Sequence, residues 1–263
     1  MLFRSPIPAS GAWRPGDEPG RRSFATLFAA RPHVLEAGGR LGHVQVAYET
    51  WGTLAPDGSN AVLVLHALTG DSHAAGPAGP GHLHPGWWDE GVGPGRALDT
   101  DRWFVGCPNV LGGCQGTTGP ASIDPTTGRP YGSRFPITTI CDQVAVEAAL
   151  ADHLGIERWA AVIGGSMGGM RTLEWMIEFP ERVARGVVIA CGAAATAEQI
   201  AWSALQIRAI EQDPHFRGGD YYEGPEGPWR GLSLARGIGQ VTYRSELEFD
   251  ERFNRGHQND EHP

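Results

Sequence analysis

Hydrophobic residues along this chain fall into short unbroken runs bounded by turn-forming residues, and between the runs they recur every three to four positions. Val44, Val46 and Tyr48 alternate with polar or small neighbours and predict an early, half-exposed strand. Ala61 to His66 (AVLVLH) is continuously apolar and reads as a buried central strand. Trp103 to Gly106, Ala160 to Ile163 and Gly186 to Ala190 read as buried strands of the same kind.

The helical period appears between these runs. Val144, Ala148, Ala151 and Leu154 share one face of a helix over Thr139 to Leu154; Thr139 is placed to cap it, Asp142 to complete a capping box, and Gly155 to close it. A second helix follows Gly164 and stops at Pro180. Alternation of strand, helix and strand predicts an α/β protein with a mostly parallel sheet flanked by helices. Beyond Thr196 no strand run occurs; Ala197 to Asp213 and Leu232 to Tyr243 read as helices, as a helical cap insertion would. The expected organisation is a poorly ordered leader over residues 1–32, a core over 33–195 and a cap region over 196–263.

Composition narrows the partners. With 41% hydrophobic and 19% charged residues, the chain can bury a core and is not of the disordered class. Its 38 glycines, about twice ordinary usage, point to tight turns and close backbone approaches. The net charge of −9 comes with no basic stripe, which argues against nucleic acid. Gly186 to Ala197 is the longest weakly polar stretch and is too short for a membrane span of ~20 residues. No apolar leader segment is visible, so a cytoplasmic location is expected, with Cys107, Cys114, Cys141 and Cys191 as reduced, packed thiols. His73, His82 and His84 lie near Asp71 and Asp89, but their Gly/Pro-rich setting lacks a helical ligand spacing, and no metal site is expected.

The sharpest chemical pattern is Gly164-Gly165-Ser166-Met167-Gly168, a G-x-S-x-G placed between a predicted strand and a predicted helix. Such a turn forces the serine into a strained backbone conformation, and glycines two positions before and after remove the clashes. The helix that starts there aims its N-terminal N–H groups at the site, making the Met167 N–H a candidate oxyanion donor. His66-Ala67-Leu68-Thr69-Gly70-Asp71 follows the AVLVLH strand, where an α/β-hydrolase fold supplies its other donor, here the N–H of Leu68. His66 precedes the serine, contrary to the Ser, acid, His order of that fold, and is expected to pack at the strand end.

HALTGDSH (His66 to His73), GPAGPGH…PGWWD (Gly76 to Asp89), NVLGGCQGTTGP (Asn109 to Pro120), YGSRFP (Tyr131 to Pro136) and GGSMGGM (Gly164 to Met170) occur in this order. Together they resemble the homoserine O-acetyltransferase family of α/β-hydrolase-fold acyltransferases, from about Val34 onward. The resemblance implies transfer of an acetyl group from acetyl-CoA, a cosubstrate rather than a cofactor, to the hydroxyl of L-homoserine through an acyl-Ser166 intermediate. The acceptor's carboxylate would be clamped by Arg236 in Leu234-Ala235-Arg236. It also implies a homodimer built through cap helices. Tyr243, seven residues on, shares the Arg236 face and is expected to pack in the core or line the pocket. A succinyl donor, serine as acceptor, a ligand-binding remnant and a generic esterase remain alternatives.

The sequence departs from the family after the cap. The family takes its triad acid and histidine from loops after later strands, and neither segment is evident here; the histidines after Ser166 are His215, His257 and His262. The expectation is therefore a piece of a longer enzyme whose C-terminal strands are missing, inactive by itself because an unassisted serine hydroxyl is a poor nucleophile.

Overall fold

The computed structural model describes residues 7–253. These form two compact units, one spanning Gly11–Ala193 and one combining the residues up to Ser10 with those from Ala194 onward.

In chain order the strands of the larger unit are β1 (Ser23–Leu27), the short pair β2 (His33–Val34) and β3 (Arg40–Leu41), β4 (Val44–Trp51), β5 (Ala61–Leu65), the short pair β6 (Val92–Gly93) and β7 (Leu98–Asp99), β8 (Phe104–Pro108), β9 (Ala161–Gly165) and β10 (Gly186–Ile189). Six of them make one sheet in the order β1-β4-β8-β5-β9-β10. The pairs β1/β4 and β4/β8 are antiparallel, whereas β8, β5, β9 and β10 run parallel.

Alternation along β5 sends Leu63 and Leu65 to one face and Val62 and Val64 to the other. The first face packs against α1 (Ile140–His153) and α2 (Met167–Glu178) through Val144, Ala148 and Trp175. The second is covered by Ala74 and Ala75 of the irregular stretch after β5 and by Val92 of β6. Each fully buried aliphatic side chain of such a core contributes ~1.5–3 kcal/mol. Helix α1 begins as its sequence dictates: Thr139 accepts from the Asp142 N–H, Asp142 accepts from the Thr139 N–H, and Gly155, with φ +72°, follows the Leu154 C-cap.

Several expectations are corrected. Residues 7–32 are not merely a poorly ordered leader: β1 pairs along β4 and buries Ala25 and Leu27, and Arg22 is also buried. The partner strand lies some twenty residues on, so local patterning did not reveal it. Strand β4 is interior rather than half-exposed, because β1 and β8 flank it and Val44, Val46, Ala47 and Glu49 are buried. Strand β10 is largely exposed rather than buried: it forms the sheet edge among the described residues, and Val187 and Ile189 are each 42% accessible. Of the four cysteines only Cys107 is buried; all are free.

The smaller unit is helical, with α3 (Ala197–Glu211), α4 (Trp229–Thr242) and α5 (Glu246–Phe253). α4 turns Gly231, Ala235 and Gly239 inward, and a Cβ on Gly231 would strike the Ala209 carbonyl, so the small residue permits the close approach of α3 and α4. Tyr243 sits at the C-cap of α4 and is 72% exposed, not packed in a core, because the helix has ended where its side chain projects.

Candidate active site

β5 and β9 are adjacent and parallel, with Leu65 opposite Gly164, so the segments leaving their C-terminal ends emerge side by side at the same end of the sheet. One carries Leu68 and the other Ser166 and Met167. The sequence pattern is thus realised as strand, turn and helix: Ser166 is the N-cap of α2, exposed, with φ 55° and ψ −119°. Positive φ in a serine costs of order 1–3 kcal/mol and persists only where its surroundings impose it. They do so here. The Ser166 N–H donates to the Ile189 carbonyl at 3.0 Å, and the Met170 N–H donates to the Ser166 carbonyl at 3.0 Å. A Cβ on Gly164 would collide with the Gly168 carbonyl, and one on Gly168 with the Leu65 carbonyl, so the elbow admits glycine at both positions.

Met167 opens α2 and is half-buried, whereas Leu68 is 71% exposed in the loop after β5. That loop is anchored from beneath. The buried guanidinium of Arg171 on α2 donates to the His66 carbonyl at 2.5 Å and to Glu147 Oε1 at 2.6 Å, while Trp175 Nε1 donates to Glu147 Oε2 at 2.8 Å. His66 itself is buried: its Nε2 accepts from the Val110 N–H at 3.1 Å and its Nδ1 faces the Ala67 carbonyl at 2.7 Å. Burial first, and the Arg171 charge second, push its pKa down to about 3. With both nitrogens engaged and no affinity for a proton at neutral pH, His66 is structural, as its strand-end position suggested, and is not the base.

Arg236 lies exposed on α4 in the helical unit. His215, in the same unit, approaches Asp213 Oδ1 at 3.4 Å and Glu226 Oε2 at 3.0 Å and follows a helix, not a strand. His257 and His262 lie outside the described residues.

A cavity of about 500 Å3 in the larger unit runs from Thr69 and Gly70 of the Leu68 loop to Arg22, His73 and His82; Ser166 does not line it. Two of its lining residues, His73 and His82, converge with the buried Glu49, their ligating atoms all within 4.8 Å of one another. Sequence reasoning grouped His73 and His82 with His84, Asp71 and Asp89 and missed Glu49, which β4 delivers from another part of the chain. Nor did it select Arg22, which lies in the segment read as a leader.

A family model described as the α/β-hydrolase fold matches residues 60–262. Homoserine O-acetyltransferase of Thermobifida fusca is 60% identical over 259 residues, covering 98% of this chain and 68% of that protein. That of Leifsonia xyli subsp. xyli is 59% identical over 256 residues, covering 97% and 62%. Among solved structures, homoserine O-acetyltransferase from Bacillus anthracis superposes with a TM-score of 0.81 at 33% identity, covering 89% of this chain and 63% of that one. An acetylester hydrolase from Corynebacterium glutamicum superposes with a TM-score of 0.76 at 29% identity, covering 89% and 62%. The chain thus spans 62% to 68% of the length of these curated relatives. With a serine elbow of this geometry and 60% identity across nearly its whole length, the chain belongs to the homoserine O-acetyltransferase family of the α/β-hydrolase fold.

Proposed function

We propose that this chain carries the nucleophile of an enzyme that transfers the acetyl group of acetyl-CoA to the side-chain hydroxyl of L-homoserine. The observation that carries the reading is Ser166, held exposed at positive φ between β9 and α2. Its Oγ attacks the thioester carbonyl and CoA leaves as the thiol; the homoserine hydroxyl then attacks the acyl-serine, releasing O-acetylhomoserine and restoring Ser166. Each tetrahedral oxyanion is met by the backbone N–H groups of Leu68 and Met167, supported by the side-by-side exit of their loops from β5 and β9 and by the positive end of α2. Arg236, exposed on α4, is the group we assign to the acceptor's carboxylate. The chemistry needs no metal or organic cofactor; both substrates are small molecules, and assembly through cap helices as a homodimer in the cytoplasm belongs to the same reading.

The test follows thiol release from acetyl-CoA with and without L-homoserine, for this chain and for the chain extended by the C-terminal third of a homoserine O-acetyltransferase relative. Homoserine-dependent release from either protein, abolished by Ser166→Ala, supports the proposal. Release that survives Ser166→Ala, or its absence from both proteins, overturns it. Acetate production without homoserine would assign the site to ester hydrolysis, as the structural likeness to the acetylester hydrolase allows.

A further inference from the structure

The Glu49, His73 and His82 cluster has no part in the acyl transfer described above. Glu49 comes from β4, whereas His73 and His82 both come from the irregular stretch after β5, His82 from a turn closed by the reciprocal Gly79 and His82 backbone hydrogen bonds. All three side chains are almost wholly buried, with accessibilities of 0%, 4% and 4%. The two imidazoles stack with centroids 3.7 Å apart and planes within 12°, and each presents a ring nitrogen to the same carboxylate. Glu49 Oε2 lies 2.9 Å from His73 Nδ1, and Glu49 Oε1 lies 3.4 Å from His82 Nε2.

Two histidines and a carboxylate converging in this way form a recurrent ligand set for divalent transition metals. Around a tetrahedral zinc with bonds of ~2.0–2.1 Å, neighbouring donor atoms stand ~3.3 Å apart. The two contacts to Glu49, at 2.9 and 3.4 Å, bracket that value, and the three ligating atoms lie within 4.8 Å of one another, so a tilt of the stacked rings toward a common point completes the set. The arrangement as it stands is electrostatically incomplete. His82 Nε2 accepts from the Arg21 N–H at 3.1 Å and lies 3.4 Å from Glu49 Oε1, so a metal ion at this nitrogen replaces the Arg21 hydrogen bond. Gly20 keeps the approach open: a Cβ there would fall 2.5 Å from His82 Nε2 and Cδ2. The remaining ring nitrogens, His73 Nε2 and His82 Nδ1, find no hydrogen-bond partner among the described residues.

The neighbouring charges can accommodate a cation. Arg22 is turned to Asp71 at 3.6 Å, to the Gly81 carbonyl at 2.9 Å and to Gln115 at 3.1 Å. Arg21, half of whose side chain is exposed, touches Glu49 at only 3.9 Å and can withdraw to solvent. His73 and His82 both line the cavity, which supplies an entry path and an open coordination position.

We propose that Glu49, His73 and His82 form a binding site for one divalent transition-metal ion of the zinc class, with the remaining coordination position facing the cavity. His73 binds through Nδ1, its hydrogen passing to Nε2; His82 binds through Nε2 and Glu49 through its carboxylate. Metal association is measured without turnover, so the result is independent of the acyl-transfer reading.

The experiment is titration of the chelator-stripped chain with Zn2+ by calorimetry, and with Co2+ by visible absorption. One equivalent is expected to bind, with affinity lowered at least tenfold in Glu49→Gln and in His82→Ala and unchanged in His84→Ala and in the double variant His257→Ala/His262→Ala. Absence of stoichiometric binding, or binding that is indifferent to Glu49→Gln and His82→Ala, overturns the proposal. Should circular dichroism show either variant unfolded, X-ray absorption of the zinc-loaded wild-type chain decides. A first shell at ~2.0–2.1 Å containing two imidazoles supports the site, and fewer than two imidazoles refutes it.

Discussion

The guanidinium of Arg171 meets the carboxylate of Glu147 at 2.6 Å with both side chains buried, and its second nitrogen holds the His66 carbonyl where the Leu68 loop leaves β5. One buried cation therefore ties α2, whose N-cap is Ser166, to α1 and to the neighbouring loop. Removing it in Arg171→Met strands Glu147 in the core, and the expected loss is ~3–5 kcal/mol. The double variant Arg171→Met/Glu147→Leu is expected to recover much of that loss. Urea denaturation of the singles and the double measures the coupling, and additive effects would contradict it.

The Ser166 elbow stores backbone strain, because φ 55° with ψ −119° is poorly tolerated by any residue with a Cβ. Ser166→Gly is expected to be more stable than Ser166→Ala by ~1 kcal/mol, the relief of strain exceeding the added entropy of glycine. Gly168→Ala, whose methyl would meet the Leu65 carbonyl, is expected to destabilise by more than ~2 kcal/mol. Thermal unfolding of the three variants ranks them, and a Gly168→Ala variant as stable as wild type would show that the turn relaxes.

Stability is expected to fall with acid before the carboxylates titrate. The His66 pKa is about 3 in the folded chain against an ordinary histidine value of 6.5, depressed by burial and then by Arg171. Between those values the unfolded chain binds a proton that the native chain does not, so His66 contributes its full stability above pH 6.5. That stability is lost at up to ~1.4 kcal/mol per pH unit as pH falls toward 3. His82, at about 4, acts with the same sign over a narrower window. Denaturation midpoints compared at pH 7 and pH 5 test this. His66→Gln, which keeps an acceptor for the Val110 N–H, should flatten the dependence.

Thr139→Ala removes the side-chain cap of α1 and is expected to cost ~1 kcal/mol. Asp142→Ala should cost more. Its carboxylate accepts not only from the Thr139 N–H but also from the Glu36 N–H at 2.9 Å, and it approaches His33 Nε2 at 3.3 Å. Chemical denaturation of the two variants gives the order, and equal losses would show that the long-range bonds contribute nothing.

The sequence by itself determined what depends on neighbours within a few residues. The Thr139 and Asp142 capping box, the apolar run of β5 and the G-x-S-x-G elbow are local geometries, and their residue types have few other uses at that spacing. The helices of the smaller unit were legible as periods, although α5 was not distinguished and Tyr243 was assigned to a packed position that the end of α4 denies it. Only the tertiary structure decided which residues meet across the sheet. It made a paired strand of Ser23–Leu27, an interior strand of β4 and an exposed edge of β10. It also carried Glu49 to His73 and His82, and Arg171 to the carbonyl of His66, across sequence separations of 24 to 105 residues. Such contacts arise from burial, which rewards any complementary partner that the chain can bring close and leaves no periodic trace in the local sequence.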